Sequence, residues 1–73
     1  MVQPISTKAL RALLQSLGCE KVAVVGSHEK WEGPKGHTCT IKAGVKQQAP
    51  GTLRTIQASL APEFGEKWIE EGR

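Results

Sequence analysis

His28 is the residue of this chain best suited to proton transfer, and it follows closely on a short apolar run at residues 22–25. The unperturbed pKa of histidine lies near neutrality, so its imidazole gives or takes a proton at small cost. In an extended strand His28 and Lys30 point to one side, while Glu29 and Trp31 point to the other. A proton-transfer group and a cation on one surface are suited to the cleavage of a phosphodiester bond.

The charge distribution favours a nucleic-acid partner. The formal net charge is +3 over 73 residues, with basic side chains concentrated before residue 60 and glutamates after it. We expect a cationic body and an acidic tail, the alternative being an ordinary solvated surface. No segment is apolar enough to cross a membrane, and residues 1–4 lack the features of a secretory signal. We therefore expect a cytoplasmic protein that does not contact a membrane.

Cys19 and Cys39 would pair only in an oxidising compartment, which nothing in the sequence indicates. We expect two buried, inert thiols. With His28 and His37 they supply soft metal ligands, but the spacing fits none of the familiar zinc patterns. The sequence therefore predicts no metal site and no small-molecule cofactor.

The first predicted element is an amphipathic helix from Thr7 to about Leu17. Ser6 and Thr7 are good N-cap residues, and Gly18 stands where a helix commonly stops. Leucines follow the helical spacing i, i+3, i+4 and i+7, at Leu10, Leu13, Leu14 and Leu17. This stripe predicts one buried face.

Strands follow the helix. Residues 22–25 form a strand, and the chain continues through residues 27–31 either as a second strand or past a bulge. Residues 32–36 are a strong turn signal, and the β-branched alternation at 38–42 predicts a returning strand. A hairpin therefore closes at this turn, with His37 at its base.

A second helix is predicted after a polar loop at residues 43–49, with Thr52 as its N-cap. Its apolar stripe consists of Leu53, Ile56 and Leu60. Arg54 and Gln57 are expected to point outward. Pro62 is expected to end this helix and to begin a short last one.

This order of elements predicts an α+β fold. It is that of a double-stranded-RNA-binding domain: a helix, a three-stranded antiparallel sheet and a helix, with a short C-terminal helical tail. We expect one domain over residues 1–73, with a core at about 4–60 and the tail at 61–73. The sheet face away from the helices would be open to solvent or a ligand. The apolar residues of the tail, Phe64, Trp68 and Ile69, would either close the core or dock a partner.

Three motifs stand together in this short chain: residues 4–6 (Pro-Ile-Ser) before the leucine helix, residues 26–28 (Gly-Ser-His), and residues 50–56 (Pro-Gly-Thr-Leu-Arg-Thr-Ile). In this combination the chain resembles the HicA/YcfA-like toxins of bacterial toxin–antitoxin systems over about residues 4–60. The resemblance implies a metal-independent mRNA interferase on a double-stranded-RNA-binding-like fold. It also implies that His28 is the active-site histidine, that mRNA is the substrate and that a HicB-type antitoxin is the partner.

The chain departs from the family pattern at three positions. Glu29 follows His28, Cys19 follows Gly18, and Ala43 stands where relatives often carry a second histidine before the second helix. If that histidine assists catalysis in relatives, this chain is expected to be slower or to use His37 instead.

Under this interpretation His28 acts as general acid or general base, and the sequence leaves both roles open. Lys30 is expected to neutralise the phosphate, and free N–H groups at the start of the second helix, at Gly51 and Thr52, to bind another. Three further cations are assigned to the flanking RNA backbone: Lys42, Lys46 and Arg54. Two rival interpretations remain, a non-catalytic RNA-binding adaptor that uses the same basic sheet face and a structural subunit that docks through its apolar tail.

Overall fold

The computed structural model describes residues 4–72 and leaves out residues 1–3 and Arg73. The prediction that the N-terminal residues form no secretory signal therefore lies largely outside the described residues. The elements in chain order are β1 (Ile5–Ser6), α1 (Thr7–Ser16), β2 (Glu20–Val25), β3 (His28–Glu32), β4 (Thr38–Lys42), β5 (Gln47–Gln48), α2 (Pro50–Phe64) and α3 (Trp68–Gly72). The predicted α+β class is confirmed. The helix, the three-stranded antiparallel sheet and the C-terminal helices are consistent with a double-stranded-RNA-binding-like fold.

The main sheet has the strand order β2-β3-β4, and both neighbouring pairs are antiparallel. β2 and β3 are joined by a two-residue turn in which Gly26 has a φ of +60°, a conformation that glycine adopts without strain. The chain therefore forms a second strand directly after this turn, and a register shift lies earlier in β2, between Lys21 and Ala23. The β3–β4 hairpin closes as predicted, with the Gly33 N–H donating to the His37 carbonyl at 2.7 Å.

α1 begins and ends where the sequence predicts. The Ser6 side chain accepts a hydrogen bond from the Ala9 N–H at 3.0 Å, which satisfies one of the free donors of the first turn. Gly18 has a φ of +85° and follows the last turn. Leu10 and Leu14 are fully buried, while the other two leucines of the stripe pack at the edge of the core.

The core lies between the helices and one face of the sheet. It joins residues from both ends of the described chain: Ile5, Leu10, Leu14, Cys19, Trp31, Cys39, Ile41, Leu53, Ile56, Leu60, Trp68 and Ile69. Trp31 is buried as expected. Trp68 and Ile69 belong to the same core, so the apolar residues of the tail close the core in this structure. No helix within residues 4–72 combines the length and apolar content needed to cross a bilayer.

The segment predicted as a polar loop at residues 43–49 contains a short strand instead. β5 pairs with β1 in a separate two-stranded sheet, with Ile5 opposite Gln48. Gln48 is fully buried. The prediction failed because two-residue strands carry no periodicity and because their pairing depends on residues about forty positions apart along the chain.

The bounds predicted for the second helix were wrong at both ends. α2 begins at Pro50 with Ala49 as its N-cap, so Thr52 lies inside the first turn and does not cap it. Proline is favoured at the first helical position because its φ is already helical and its missing N–H would have no partner there. At the other end α2 continues through Pro62 to Phe64. The carbonyl that Pro62 leaves without a donor belongs to Ala58, an exposed residue that water can reach.

Gln57 is buried, although the sequence predicted that it would point outward. The reason is α3, which packs on this side of α2. The Gln57 side-chain oxygen accepts from the Ile69 N–H at 3.1 Å, and its backbone carbonyl accepts from the Trp68 indole N–H at 2.9 Å. Gln57 therefore satisfies the first turn of α3, which begins at Trp68 rather than at Pro62.

Candidate active site

His28 lies on the sheet face that the helices leave uncovered. Residues alternate along β3 and β4, so that every second side chain is buried and the others are exposed. We call the exposed side the open sheet face; it comprises Glu20, Ala23, Val25, His28, Lys30, Glu32, Thr38, Thr40 and Lys42. The prediction that His28 and Lys30 share one side of the strand, opposite Glu29 and Trp31, is confirmed.

Lys42 is the cation directly opposite His28. The Ala43 N–H donates to the Ser27 carbonyl at 2.6 Å, so the Ser27–Ala43 pair is hydrogen-bonded and the next pair, His28–Lys42, is not. Side chains are closest in pairs of the second kind, with Cβ atoms about 4.5–5.5 Å apart. Lys30, two residues along the same strand, starts about 6.6 Å away at 3.3 Å per residue. The structure therefore places Lys42, rather than Lys30, nearest to His28.

Gln48 holds the backbone of Lys42 from the opposite edge of β4. Its side-chain N–H group donates to the Lys42 carbonyl at 2.7 Å, and its side-chain oxygen accepts from the Lys42 N–H at 3.3 Å. The same N–H group donates to the Thr7 hydroxyl at 2.7 Å, and that hydroxyl donates to the Val45 carbonyl at 2.6 Å. One buried amide thus fixes the end of β4, the start of α1 and the β4–β5 connection. The sequence alone does not reveal this role, because nothing local distinguishes Gln48 from the exposed Gln47.

A partly buried ion pair lies beneath the open sheet face. The Arg11 guanidinium donates two hydrogen bonds to the Glu29 carboxylate, at 2.6 and 3.1 Å, and the Trp31 indole donates a third at 3.1 Å. The Arg11 hydrogen bond holds the pKa of Glu29 below its ordinary value and outweighs burial, which acts in the opposite direction. This pair joins α1 to the strand that carries His28, and it explains why a glutamate is stable on the buried side of β3.

His37 lies at the other end of β4 from Lys42 and is not part of the His28 surroundings. Its ring Nδ1 contacts the Glu63 carboxylate at 3.0 Å, and the backbone N–H groups of Lys35 and His37 also donate to that carboxylate. Burial raises the pKa of Glu63, but these hydrogen bonds outweigh it and lower the pKa overall. The contacts join the β3–β4 hairpin to the end of α2.

The start of α2 offers two free backbone donors. Leu53 makes the first hydrogen bond of the helix, to the Ala49 carbonyl at 2.9 Å, and Pro50 has no N–H. No side chain caps this end, so the N–H groups of Gly51 and Thr52 lack partners among residues 4–72. Two of the predicted RNA contacts, Lys46 before the helix and Arg54 within it, are exposed in this region. No hydrogen bond or ion pair of the described residues links these two side chains to the open sheet face.

Both cysteines are buried and free. Burial raises the pKa of the Cys39 thiol to about 12, with a smaller contribution from the nearby Cys19. Within residues 4–72 there is no group of three or more His, Cys, Asp or Glu side chains placed to hold a metal ion.

Comparison with protein-family models gives a match over most of the chain. A family model described as the HicA toxin of bacterial toxin–antitoxin systems matches residues 7–61. No curated protein and no solved structure matches the chain significantly. The matched range runs from the first residue of α1 into α2 and contains the entire three-stranded sheet, including His28. Because it covers most of the chain, the protein belongs to the HicA family of toxins of bacterial toxin–antitoxin systems.

Proposed function

We propose that this toxin is a metal-independent endoribonuclease that cleaves mRNA, with His28 as its catalytic residue. The observation that supports the proposal best is the placement of His28 on an open sheet face, directly opposite Lys42. An exposed imidazole beside a cation can approach a phosphodiester from the solvent side. Cleavage of mRNA would arrest translation and growth, as expected of a toxin.

Cleavage of RNA without a metal requires three events at one phosphate. The 2′-hydroxyl loses a proton and attacks phosphorus, negative charge on the phosphoryl oxygens is stabilised, and the departing 5′-oxygen is protonated. In our proposal His28 carries one of the two proton transfers, and Lys42 with Lys30 stabilises the charge. An ammonium group suits this second task because it is a compact positive charge with three hydrogen-bond donors on a flexible side chain.

The flanking RNA backbone has a second candidate contact at the start of α2. The free N–H groups of Gly51 and Thr52 and the positive end of the helix dipole favour an anion there. Lys46 and Arg54 are exposed on either side of these donors in the chain. We assign this region to a neighbouring phosphate and the open sheet face to the phosphate that is cleaved.

The partner in this proposal is a HicB-type antitoxin. A toxin of a toxin–antitoxin system requires a protein that neutralises it, and a tight complex that covers the His28 side chain would exclude RNA. We further propose that the protein acts in the cytoplasm, where translating mRNA is found.

Induced expression in a bacterial host tests the proposal, with growth and the integrity of one reporter mRNA as readouts. Wild type should arrest growth and degrade the reporter, and purified protein should cleave RNA in the presence of EDTA. His28→Ala should lower the cleavage rate by about 10²–10⁴-fold, the usual contribution of a general acid or base. Lys42→Ala should lower it as well, whereas Lys35→Ala, an exposed lysine on the distant hairpin, should not.

His37→Ala is the matched control, because it removes the other histidine, which lies at the far end of β4. It should retain cleavage. Intact RNA with well-folded wild-type protein would refute the endoribonuclease proposal and favour a non-catalytic RNA-binding adaptor that uses the same basic face. If cleavage survives His28→Ala but is lost in His37→Ala, then His37 is the catalytic histidine and our assignment of His28 is wrong.

A further inference from the structure

β2 is the free edge of the three-stranded sheet. Within residues 4–72 it pairs with β3 and with no other strand, and all six of its residues are exposed. Its three valines, Val22, Val24 and Val25, are 47%, 57% and 75% exposed. Since residues of a strand point alternately to its two sides, neither side of β2 is covered by the helices.

Val24 directs its backbone hydrogen-bonding groups to this free edge. His28 and Lys42 form a non-hydrogen-bonded pair, so the backbone groups of His28 point toward β2 and those of the next residue, Glu29, point toward β4. Glu29 is opposite Val24, which makes that pair non-hydrogen-bonded too. The N–H and C=O of Val24 therefore face outward, in the geometry that accepts an added strand.

The charges beside the central part of this edge are positive, while Glu20 and Glu32 lie at its first residue pair. Lys21 lies on β2, on the same side as Val24, and Lys30 lies opposite Ala23 on the open sheet face. Lys30 forms no ion pair among the described residues. The nearby Glu29 is already paired with Arg11. An extended segment that carries acidic and apolar side chains on both of its sides matches this edge, since apolar groups would cover Val24 and Val25 and carboxylates would pair with Lys21 and Lys30.

A second copy of this chain matches the edge less well. Antiparallel pairing of two β2 strands would join the sheets of two copies into one continuous sheet, held together only along this edge. A six-residue strand also offers only about 20 Å of edge. Paired strands alone would bury much less than the roughly 1,200–2,000 Å² of a stable protein–protein interface. A partner with surface on both sides of the edge is therefore favoured.

We propose that β2 is a docking edge for an extended, acidic and apolar segment of the antitoxin, which adds a fourth strand to the sheet through Val24. This inference rests on the antitoxin partner proposed above and names where that partner binds. It does not depend on the ribonuclease activity, because Val24 lies on the side of β2 away from His28.

The test uses the full chain and the antitoxin encoded in the adjacent reading frame, with affinity measured by calorimetry. Val24→Pro removes the outward N–H and should weaken binding at least tenfold, while Val24→Thr keeps the N–H and should change it by less than threefold. Val24→Glu adds a charge that repels an acidic segment and should also weaken binding. Val45→Glu is its control, because Val45 is a 43% exposed valine outside β2. Circular dichroism shows which variants are folded. If Val24→Pro is unfolded, the affinity of the Val24→Glu variant for the antitoxin tests the proposal instead.

Each result has a distinct meaning. If the wild-type chain does not bind this antitoxin, the proposed partner is wrong. If wild type binds and neither Val24→Pro nor Val24→Glu weakens binding, the partner stands and the docking edge is overturned. If the chain alone is a dimer in solution and Val24→Pro makes it a monomer, a second copy occupies the edge and the proposal is also overturned.

Discussion

Removal of the Gln48 side chain should destabilise this protein more than any change at its exposed neighbour Gln47. Gln48→Ala deletes two hydrogen bonds of 2.7 Å, to the Lys42 carbonyl and the Thr7 hydroxyl, and a longer one of 3.3 Å from the Lys42 N–H. A buried polar group left without a partner costs about 1–3 kcal/mol. Thr7 retains its bond to Val45, and the Lys42 groups gain some water through the new cavity. The expected loss is therefore about 2–4 kcal/mol.

This loss is large against the roughly 5–15 kcal/mol that stabilise a typical domain. At about 4–8 °C per kcal/mol for a domain of this size, the melting temperature should fall by about 8–32 °C. Urea unfolding should give a lower midpoint with an unchanged slope. Gln47→Ala, which removes an exposed side chain, should stay within about 0.5 kcal/mol of wild type. Equal stability of the Gln48→Ala and Gln47→Ala proteins would refute the role of the buried amide.

Three other predictions concern an ion pair, a close backbone approach and a buried thiol. Glu29→Gln should lower the free energy of unfolding by about 1.5–3 kcal/mol, less than a fully buried pair because Arg11 is 35% exposed. The pKa of Glu29 is lowered in the folded state, so the ion pair stabilises the fold fully above about pH 4.3, and this stabilisation is lost as the pH falls through the folded-state pKa. The free energy of unfolding of Glu29→Gln should therefore depend less on pH in the acid range than that of wild type. Identical pH dependence of the two proteins would contradict the ion pair. Gly33→Ala would place a Cβ 2.5 Å from a Glu63 carboxylate oxygen, so the substitution should destabilise the wild-type protein more than it destabilises the Glu63→Ala variant. A double-mutant cycle in urea measures this difference, and additive losses of stability would disprove the clash. Because burial raises the pKa of Cys39 to about 12, the folded protein at pH 8 should not react with a thiol reagent such as dithionitrobenzoate until urea unfolds it, and rapid reaction of the native chain would show that the site opens.

The parts of the fold that the sequence predicted correctly are those with a local pattern. The leucine spacing of α1, the alternation of β3 and β4 and the turn at residues 32–36 each depend on neighbours within a few residues. The side of β3 that carries His28 followed from the same alternation. These features are predictable because backbone geometry alone decides which side chains share a face.

The features that were missed depend on contacts between distant segments. Gln48 and Gln57 read as ordinary surface residues, yet both are buried because another element packs on them and uses their amides. The continuation of α2 through Pro62 likewise depends on packing, since α3 docks against the same helix. Lys42 was assigned to the flanking backbone because the pairing register that places it opposite His28 cannot be read from one strand.

The core joins segments from both ends of the described chain, and this affects how the toxin folds during translation. Ile5 packs in the same cluster as Trp68 and Ile69, and β1 pairs with residues 47–48. Contacts between residues so far apart in the chain form late and slow the folding of small domains. During translation this cluster is incomplete until residue 69 has left the ribosome. Until then the nascent chain lacks its full core, and an antitoxin that is already present can bind the toxin before it is completely folded.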